Sequence, residues 1–161
     1  MDNYKSAADN ADALVKQFEA DEKLGRMVRM KKTDAQAEWG DRLLIAPLGA
    51  IEKSDESFRI LHDDTHGVKV NPRLRPRDQL RCPSMAEQRV VVTAAKKHGR
   101  PAFSLKGDAQ AAHRIPRVAR ADWGLQACSV GDESEVWLNT VGTFGVSTAG
   151  YFWGRLAAAA G

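Results

Sequence analysis

Two features in the second half of the sequence have residue types suited to phosphate chemistry. Asp108 ends a predicted strand, SLKGD, where a carboxylate can hold a divalent cation that contacts a phosphate. The sequence GTFG at residues 142–145 joins a predicted strand to a predicted helix, and backbone N–H groups there can bind a phosphate or a base. Each feature also has a structural interpretation, as an aspartate that caps a turn and as a simple turn.

A third candidate is the sequence HDDTH at residues 62–66. Its side chains are of the kinds that bind metals, and a His/Asp group can activate water for hydrolysis. The spacing fits no helical zinc-protease pattern, and no further His or Cys residues cluster nearby in the sequence. A polar junction between a strand and a turn is therefore the favoured interpretation.

The four tryptophans can stack on bases or fill the core, and their positions in strand and helix patterns favour the core. They are Trp39, Trp123, Trp137 and Trp153.

Several common kinds of site are excluded because their motifs are missing. The sequence has no GxSxG elbow of a Ser/His/Asp hydrolase, and neither GxxxxGK[ST] nor GxGxxG of an ordinary nucleotide-binding loop. Cys82 and Cys128 lie far apart without a CxxC or Cys/His companion, which argues against a disulfide framework and a structural zinc site. We expect two core thiols in a reducing compartment.

Charge is unevenly distributed along the chain, whose net charge is +3. Residues 1–65 carry a net −4, residues 66–120 carry 13 basic against 3 acidic side chains, and residues 121–161 carry a net −3. A basic middle block suits a polyanion such as nucleic acid or nucleotide phosphate, and a solvated surface is the alternative. The arginines of PRLRPR would line one side of an extended segment, which favours phosphate contacts. They are Arg73, Arg75 and Arg77.

Hydrophobic spacing predicts the elements that position these residues. Residues 5–30 fit an amphipathic helix broken or ended near Gly25. Thr33 with Gln36 predicts a capping box for a short helix that ends at Gly40. Short apolar runs then predict a strand in RLLIAP, a hairpin of LGAIEK with SFRIL, and a strand in GVKVN. The Pro- and Arg-rich segment that follows is expected to be extended.

The second half begins with another predicted helix, which Ser84 and Glu87 open as a capping box and Gly99 ends. A strand in PAFSLKGD, a short helical turn in AQAAHR and strands in WGLQACSV and EVWLNTV follow. In the last predicted helix, STAGYFWGRLAAAA, four apolar residues share one face. They are Ala149, Phe152, Trp153 and Leu156.

The whole sequence predicts one α+β domain. Its 161 residues are 43% hydrophobic and 28% charged, a composition that can build a core. No apolar run approaches the roughly 18 residues of a membrane span, and the N-terminus lacks the layout of a signal peptide. We therefore expect a soluble protein with no membrane partner, located inside the cell in the cytoplasm or the nucleus.

Taken in order, three segments resemble the fingers and palm of a reverse transcriptase from a retrotransposon. GAIEKSDESFRILHD (residues 49–63) resembles the fingers hairpin, in which a Lys and an Arg flanking a polar turn bind the triphosphate; Lys53 and Arg59 match them. FSLKGDAQAAHRI (103–115) resembles the palm motif with the first metal-binding aspartate, matched by Asp108.

WLNTVGTFGVSTAGYFWGRL (137–156) resembles the next motif, a turn and helix that support template and nucleotide; Phe144 and Gly145 match its turn. There are three departures. His113 stands where the family has a Tyr or Phe that excludes ribonucleotides, Thr143 replaces the usual Pro, and the Tyr-x-Asp-Asp hairpin expected after the last helix is missing.

The resemblance implies an RNA-directed DNA polymerase that uses Mg²⁺, deoxynucleoside triphosphates and an RNA/DNA template–primer. Asp108 is then the catalytic metal ligand, and Lys53, Arg59, His113, Phe144 and Gly145 bind the nucleotide. Because Asp108 alone cannot hold two metal ions, we expect the chain by itself to be inactive.

The implied fold is a partial fingers and palm, an antiparallel sheet with helices on one face and the final palm strands missing. The expected parts are an N-terminal helical segment (1–42), a fingers-like hairpin and helix (43–100) and a partial palm (101–161). The alternative functions are a non-catalytic nucleic-acid-binding remnant that uses the basic block 66–120, and a protein-binding module.

Overall fold

A computed structural model describes residues 2–55, 57–79, 81–101 and 107–160 of the chain. Helices and strands are mixed along it, which is compatible with the predicted α+β class. The chain divides into a larger unit, Met1–Pro76 with Ala111–Gly161, and a smaller unit, Arg77–Gln110. No helix within the described ranges is long and apolar enough to cross a membrane.

The N-terminal part of the larger unit contains three helices and a strand. In chain order they are α1 (Lys5–Ala8), α2 (Ala11–Lys23), β1 (Met27–Lys31) and α3 (Lys32–Trp39). Gly25 and Gly40 adopt positive φ angles after α2 and α3, so both helices end near the predicted glycines. The capping box predicted at Thr33 is wrong, because α3 already begins at Lys32, before Thr33, and no side chain caps it.

A four-stranded sheet organises the larger unit. With β1 it contains β2 (Ile45–Ala46), β5 (Ala127–Cys128) and β6 (Glu135–Asn139), in the order β1-β6-β5-β2. β6 pairs antiparallel with both β1 and β5, whereas β2 pairs parallel with β5. The predicted antiparallel sheet is therefore wrong at one pairing. β1 lies inside the segment predicted to be helical, because it forms by pairing with a strand near the other end of the chain.

Helices cover both faces of this sheet, so the predicted packing on one face is wrong. Trp137 of β6 packs in a cluster with Leu14 and Phe18 of α2. Its neighbour Leu138 packs in a second cluster with Trp39 of α3. Successive residues of a strand point to opposite faces, and β6 is apolar on both, so each face requires its own cover. Trp39 and Trp137 are buried, as the sequence predicted.

The predicted hairpin is confirmed. It consists of β3 (Leu48–Glu52) and β4 (Phe58–His62), which pair antiparallel from Leu48↔His62 to Glu52↔Phe58. The N-terminal segment borders β3, because the Tyr4 N–H donates to the Leu48 carbonyl oxygen at 2.9 Å.

The strand predicted in GVKVN is wrong. Residues 64–68 form turns and a bend, Lys69 has a φ of 55°, and a 3₁₀ turn follows at Asn71–Arg73. A positive φ is incompatible with an extended strand, so the alternating apolar residues do not form one.

The last third of the larger unit contains two 3₁₀ segments and a helix. Ala112–Arg114 forms the predicted short helical turn, and Arg120–Gln126 is a 3₁₀ helix where the first half of a strand was expected. The last helix of the described residues is α5 (Thr148–Ala160). On the predicted apolar face of α5, Ala149 is buried, but Phe152 and Leu156 are exposed.

The smaller unit contains α4 (Met85–Lys97). Its predicted capping box is confirmed, since the Ser84 side chain accepts from the Glu87 N–H and the Glu87 carboxylate accepts from the Ser84 N–H. Gly99 follows α4 with a φ of 66°. Residues 102–106 of the predicted strand 101–108 lie outside the described residues, and Pro101, Gly107 and Asp108 belong to no helix or strand.

Candidate functional site

Three of the predicted site residues lie together in the larger unit. The Arg59 guanidinium carbon is 5.8 Å from the centroid of the Phe144 ring, and the His113 ring centroid is 4.8 Å from that of Phe144. Arg59 is exposed, whereas His113 and Phe144 are half-buried. The site thus combines a guanidinium group, an imidazole ring and a phenyl ring that come from three separate segments of the chain.

The GTFG turn is held against the end of β4. The His62 N–H donates to the Phe144 carbonyl oxygen at 2.9 Å. Gly145 has a φ of 122°, and a Cβ atom there would lie 2.0 Å from the His62 carbonyl oxygen. Glycine is therefore required at 145, and the backbone of this turn is fixed beside the hairpin that carries Arg59.

Arg114, which the sequence analysis did not single out, anchors the His113 segment in the core. Its guanidinium group donates to Asp21 at 2.9 Å, to the Asn139 side-chain oxygen and, at 3.4 Å, to the Gly142 carbonyl oxygen. Burial lowers the pKa of Arg114, and the ion pair with Asp21 opposes that shift. Arg114 therefore connects α2, β6 and the GTFG turn, and its charge is neutralised inside the protein.

Lys53 lies next to the hairpin tip, just after β3. Its ammonium group donates to the Ser57 hydroxyl oxygen at 3.1 Å, and its backbone N–H donates to the Ser57 carbonyl oxygen at 2.8 Å. Its side chain is exposed. Lys53 thus closes the turn of the hairpin and is not part of the Arg59–His113–Phe144 cluster.

Asp108 belongs to the smaller unit, where its side chain is exposed. Mg²⁺ usually binds one or two carboxylates together with phosphates and water, so Asp108 fits the role of a single ligand. Across the described residues, no group of three or more His, Cys, Asp or Glu side chains is placed to hold a metal ion.

The HDDTH sequence forms the polar junction that the sequence favoured. Burial and, secondarily, the Arg114 charge lower the pKa of His62 to about 3, so this imidazole is neutral. Burial, together with the Asp63 charge, raises the pKa of Asp64 to about 7. Asp63 has the opposite shift: a hydrogen bond from the Tyr4 hydroxyl at 2.5 Å, followed by one from the His66 N–H, lowers its pKa to about 2.

An open cleft of about 420 Å³ lies beside the GTFG turn. Ile51 and Leu61 of the hairpin, Tyr4, Asp63 and Gly145 are among its lining residues. Ile51 pairs directly with Arg59 in the hairpin register, so their side chains lie on one face of the hairpin. The cleft therefore adjoins the face of the hairpin that carries Arg59.

Much of the basic block is available for an anion. Some arginines of the block already have partners in the structure. Arg75 donates to the Pro72 and Leu74 carbonyl oxygens, Arg81 pairs with Glu87, and Arg120 pairs with Glu38. The expected row of three free arginines in PRLRPR is therefore interrupted at Arg75. Eight basic side chains of the block are exposed and unpaired with any other described residue. They are Lys69, Arg73, Arg77, Arg89, Lys96, Lys97, Arg100 and Arg117.

No protein-family model matches this chain, and no curated protein matches it.

Proposed function

We propose that this chain is part of a reverse transcriptase of a retroelement and that its larger unit binds a deoxynucleoside triphosphate. The observation that carries the proposal is the cluster of Arg59, His113 and Phe144. Each of these residues was assigned to nucleotide binding from a different motif of the resemblance. Their proximity in one fold supports a common ligand.

The chemistry of each residue suits a different part of the nucleotide. Arg59 is exposed, and the planar guanidinium group of an arginine can donate to two phosphate oxygens at once. His113 and Phe144 offer rings against which a sugar or base can pack. Gly145 has no side chain to keep a ligand from the backbone of the turn. Lys53 was assigned to the same triphosphate, but its ammonium group donates to the Ser57 hydroxyl oxygen outside this cluster, so Arg59 is the hairpin residue that we assign to the phosphates.

Asp108, an exposed carboxylate of the smaller unit, is the residue that we assign to Mg²⁺ in the intact polymerase. Transfer of a nucleotide to a primer on its template needs carboxylates from more than one segment to hold two metal ions. Asp108 is the one carboxylate of this chain with that assignment. We therefore propose that the chain binds nucleotide but does not extend a primer by itself.

Nucleotide binding can be tested by titrating the chain with dTTP in the presence of Mg²⁺. We expect Arg59→Ala to raise the Kd at least about tenfold, because charge-assisted hydrogen bonds are worth roughly 1.5–3 kcal/mol each. Arg29→Ala is the matched control. Arg29 also lies over an aromatic ring, with its guanidinium carbon 5.3 Å from the Trp137 centroid, but it pairs with Glu135 on the sheet.

The control variant should bind dTTP within about twofold of the original chain. A loss of stability alone would weaken binding in both variants, so the control separates that effect from a lost contact with the nucleotide. Equal Kd values for the Arg59→Ala variant and the original chain would show that Arg59 does not contact the nucleotide. Absence of dTTP binding by the original chain would overturn the proposal as a whole.

A second candidate function is non-catalytic binding of nucleic acid. It is favoured by the eight exposed basic side chains without a partner among the described residues. Such side chains attract phosphates irrespective of sequence and need no metal ion. This function requires neither the Arg59 cluster nor Asp108.

A further inference from the structure

Asn71 joins two loops that are distant in sequence. It lies at the start of the 3₁₀ turn Asn71–Arg73 and is half-buried. Its side-chain Nδ2 donates to the Gly145 carbonyl oxygen at 2.6 Å and to the Thr65 hydroxyl oxygen at 2.9 Å. Its Oδ1 accepts a hydrogen bond from the Ser147 N–H at 2.8 Å. One amide group thus holds both ends of the segment 145–147.

The backbone of Asn71 is also held in place. Its N–H donates to the Asp64 carbonyl oxygen at 2.9 Å, and Pro72 restricts the chain immediately after it. The amide therefore projects from a fixed position. This position allows it to determine where the GTFG turn lies.

Asparagine has the chemistry that this position needs. The Gly145 carbonyl requires a donor and the Ser147 N–H requires an acceptor, and a planar amide presents one of each. Aspartate would keep the acceptor but would place an oxygen against the Gly145 carbonyl. Alanine would remove all three side-chain hydrogen bonds.

From these contacts we infer that Asn71 is a positioning residue that sets the geometry of the Phe144–Gly145 turn and, through it, the affinity for nucleotide. The statement about affinity depends on the proposed function. The statement about geometry does not, because it concerns the hydrogen bond between the His62 N–H and the Phe144 carbonyl oxygen. Asn71 takes no part in that bond, so the bond reports whether the turn has moved.

The test measures amide hydrogen exchange at His62 and the Kd for dTTP with Mg²⁺ in the Asn71→Asp and Asn71→Ala variants. We expect exchange at His62 to become about tenfold faster, and the Kd to rise about tenfold, in both variants. The matched control is Asn10→Asp. The Asn10 Nδ2 also donates to a backbone carbonyl oxygen, that of Ser6 at 2.9 Å, and its variant should change neither quantity.

Lowering the pH provides a second readout on the Asn71→Asp variant. A protonated carboxyl group has one O–H donor and one carbonyl acceptor, as the amide does. Exchange at His62, compared with the original chain at the same pH, should therefore return towards the original rate as the pH falls through the range in which an aspartate carboxyl is protonated, about 3.9 for an unperturbed group. A variant that merely folds poorly would show no such recovery.

The outcomes separate the two statements. Unchanged exchange at His62 in both variants would overturn the inference. Faster exchange with an unchanged dTTP Kd would overturn the statement about affinity. Faster exchange in a chain that does not bind dTTP at all would support the role of Asn71 in the turn and would overturn the proposed function.

Discussion

At the scale of single residues, Asp64 has the most unusual environment in its loop. Its side chain is fully buried, and neither carboxylate oxygen has a hydrogen-bond partner in the described structure. Burial raises its pKa from 3.8 to about 7. The folded state therefore favours protonated Asp64. The contribution of this group to stability is fully present below pH 4 and is lost as the pH rises through about 7.

We expect Asp64→Asn to increase the free energy of unfolding at pH 8, because the variant no longer buries a charge. The shift from 3.8 to about 7 corresponds to a gain of the order of 4 kcal/mol at pH 8, and less than half of that should remain at pH 5. Urea unfolding of the variant and of the original chain measures this gain at pH 8 and at pH 5. Asp63→Asn is the control with the opposite sign: its pKa is lowered to about 2, so this variant should lose stability at pH 8.

His62 and Asp64 make the free energy of unfolding depend on pH in opposite directions. The pKa of His62 falls from 6.5 to about 3, so its contribution to stability is present above pH 6.5 and is lost as the pH falls towards 3. The two effects largely cancel between pH 4 and 6.5. The difference between Asp64→Asn and the original chain is unaffected by this cancellation, because His62 is present in both proteins. A gain of equal size at pH 5 and pH 8 would contradict a buried, titrating Asp64.

The HDDTH sequence predicted a polar junction but not the burial of His62 and Asp64. Burial there depends on distant parts of the chain: Gly145 lies against the His62 carbonyl oxygen, and the charge of Arg114 reaches the His62 ring. The same holds for Asn71, which the sequence placed in a strand. Its partners Gly145 and Ser147 are more than seventy positions away, beyond the range of local patterns.

At the scale of elements, two capping-box patterns allow a direct comparison. Thr33 with Gln36 and Ser84 with Glu87 have the same spacing, but only the second forms side-chain caps in the structure. β1 runs directly into α3, so the backbone before α3 is already paired with β6 and the helix begins at Lys32. Local chemistry determines the start of α4, whereas strand pairing determines the start of α3.

We therefore expect Ser84→Ala to destabilise the first turn of α4 by about 1 kcal/mol, because α4 has no buried residue to compensate for a lost cap. Residue-resolved amide exchange should show this as roughly fivefold faster exchange in that turn. Thr33→Ala is the control and should leave the exchange of α3 unchanged or slower, since alanine favours a helix interior. Equal losses of protection in α3 and α4 would contradict the assigned difference.

The strongest sequence predictions were those with local causes. The β3–β4 hairpin, α4, β6 and α5 were predicted from spacing, turn residues and caps within each segment. β1 and the parallel β2–β5 pair were missed because pairing partners decide them, and GVKVN alternates like a strand but has a positive φ at Lys69. Arg59, His113 and Phe144 were predicted as nucleotide-binding residues in one set with Lys53 and Gly145, whereas Arg114 and Asn71, which fix their surroundings, were not singled out.

At the scale of the whole molecule, the arrangement of charge is the property that separates the two candidate functions. The net charge of +3 conceals the basic block at residues 66–120. The structure compensates some of this charge, since the largely buried Arg114 pairs with Asp21 and the exposed Arg120 pairs with Glu38. The exposed cations of the block that have no partner among the described residues remain, and they occur in both units.

These cations predict salt-dependent binding of nucleic acid. The Kd for a short RNA/DNA duplex should rise steeply between 50 and 200 mM salt, and each lost phosphate contact should reduce the slope of log Kd against log salt by about 1. Arg89→Gln removes a charge that has no partner in the described part of the chain, and it should therefore reduce the slope. Arg81→Gln is the matched control in the same unit, and it should have less effect because Arg81 already pairs with Glu87 at 2.7 Å.

The same titration with and without Mg²⁺ decides between the two functions. If the basic block binds nucleic acid without chemistry, Asp108→Asn should leave the Kd unchanged in both conditions, because no metal ion takes part. If Asp108 holds Mg²⁺, the variant should weaken the binding of Mg²⁺ by the chain while leaving the salt slope for the duplex intact. Binding that does not respond to salt would contradict both, since each function brings phosphates to exposed cations.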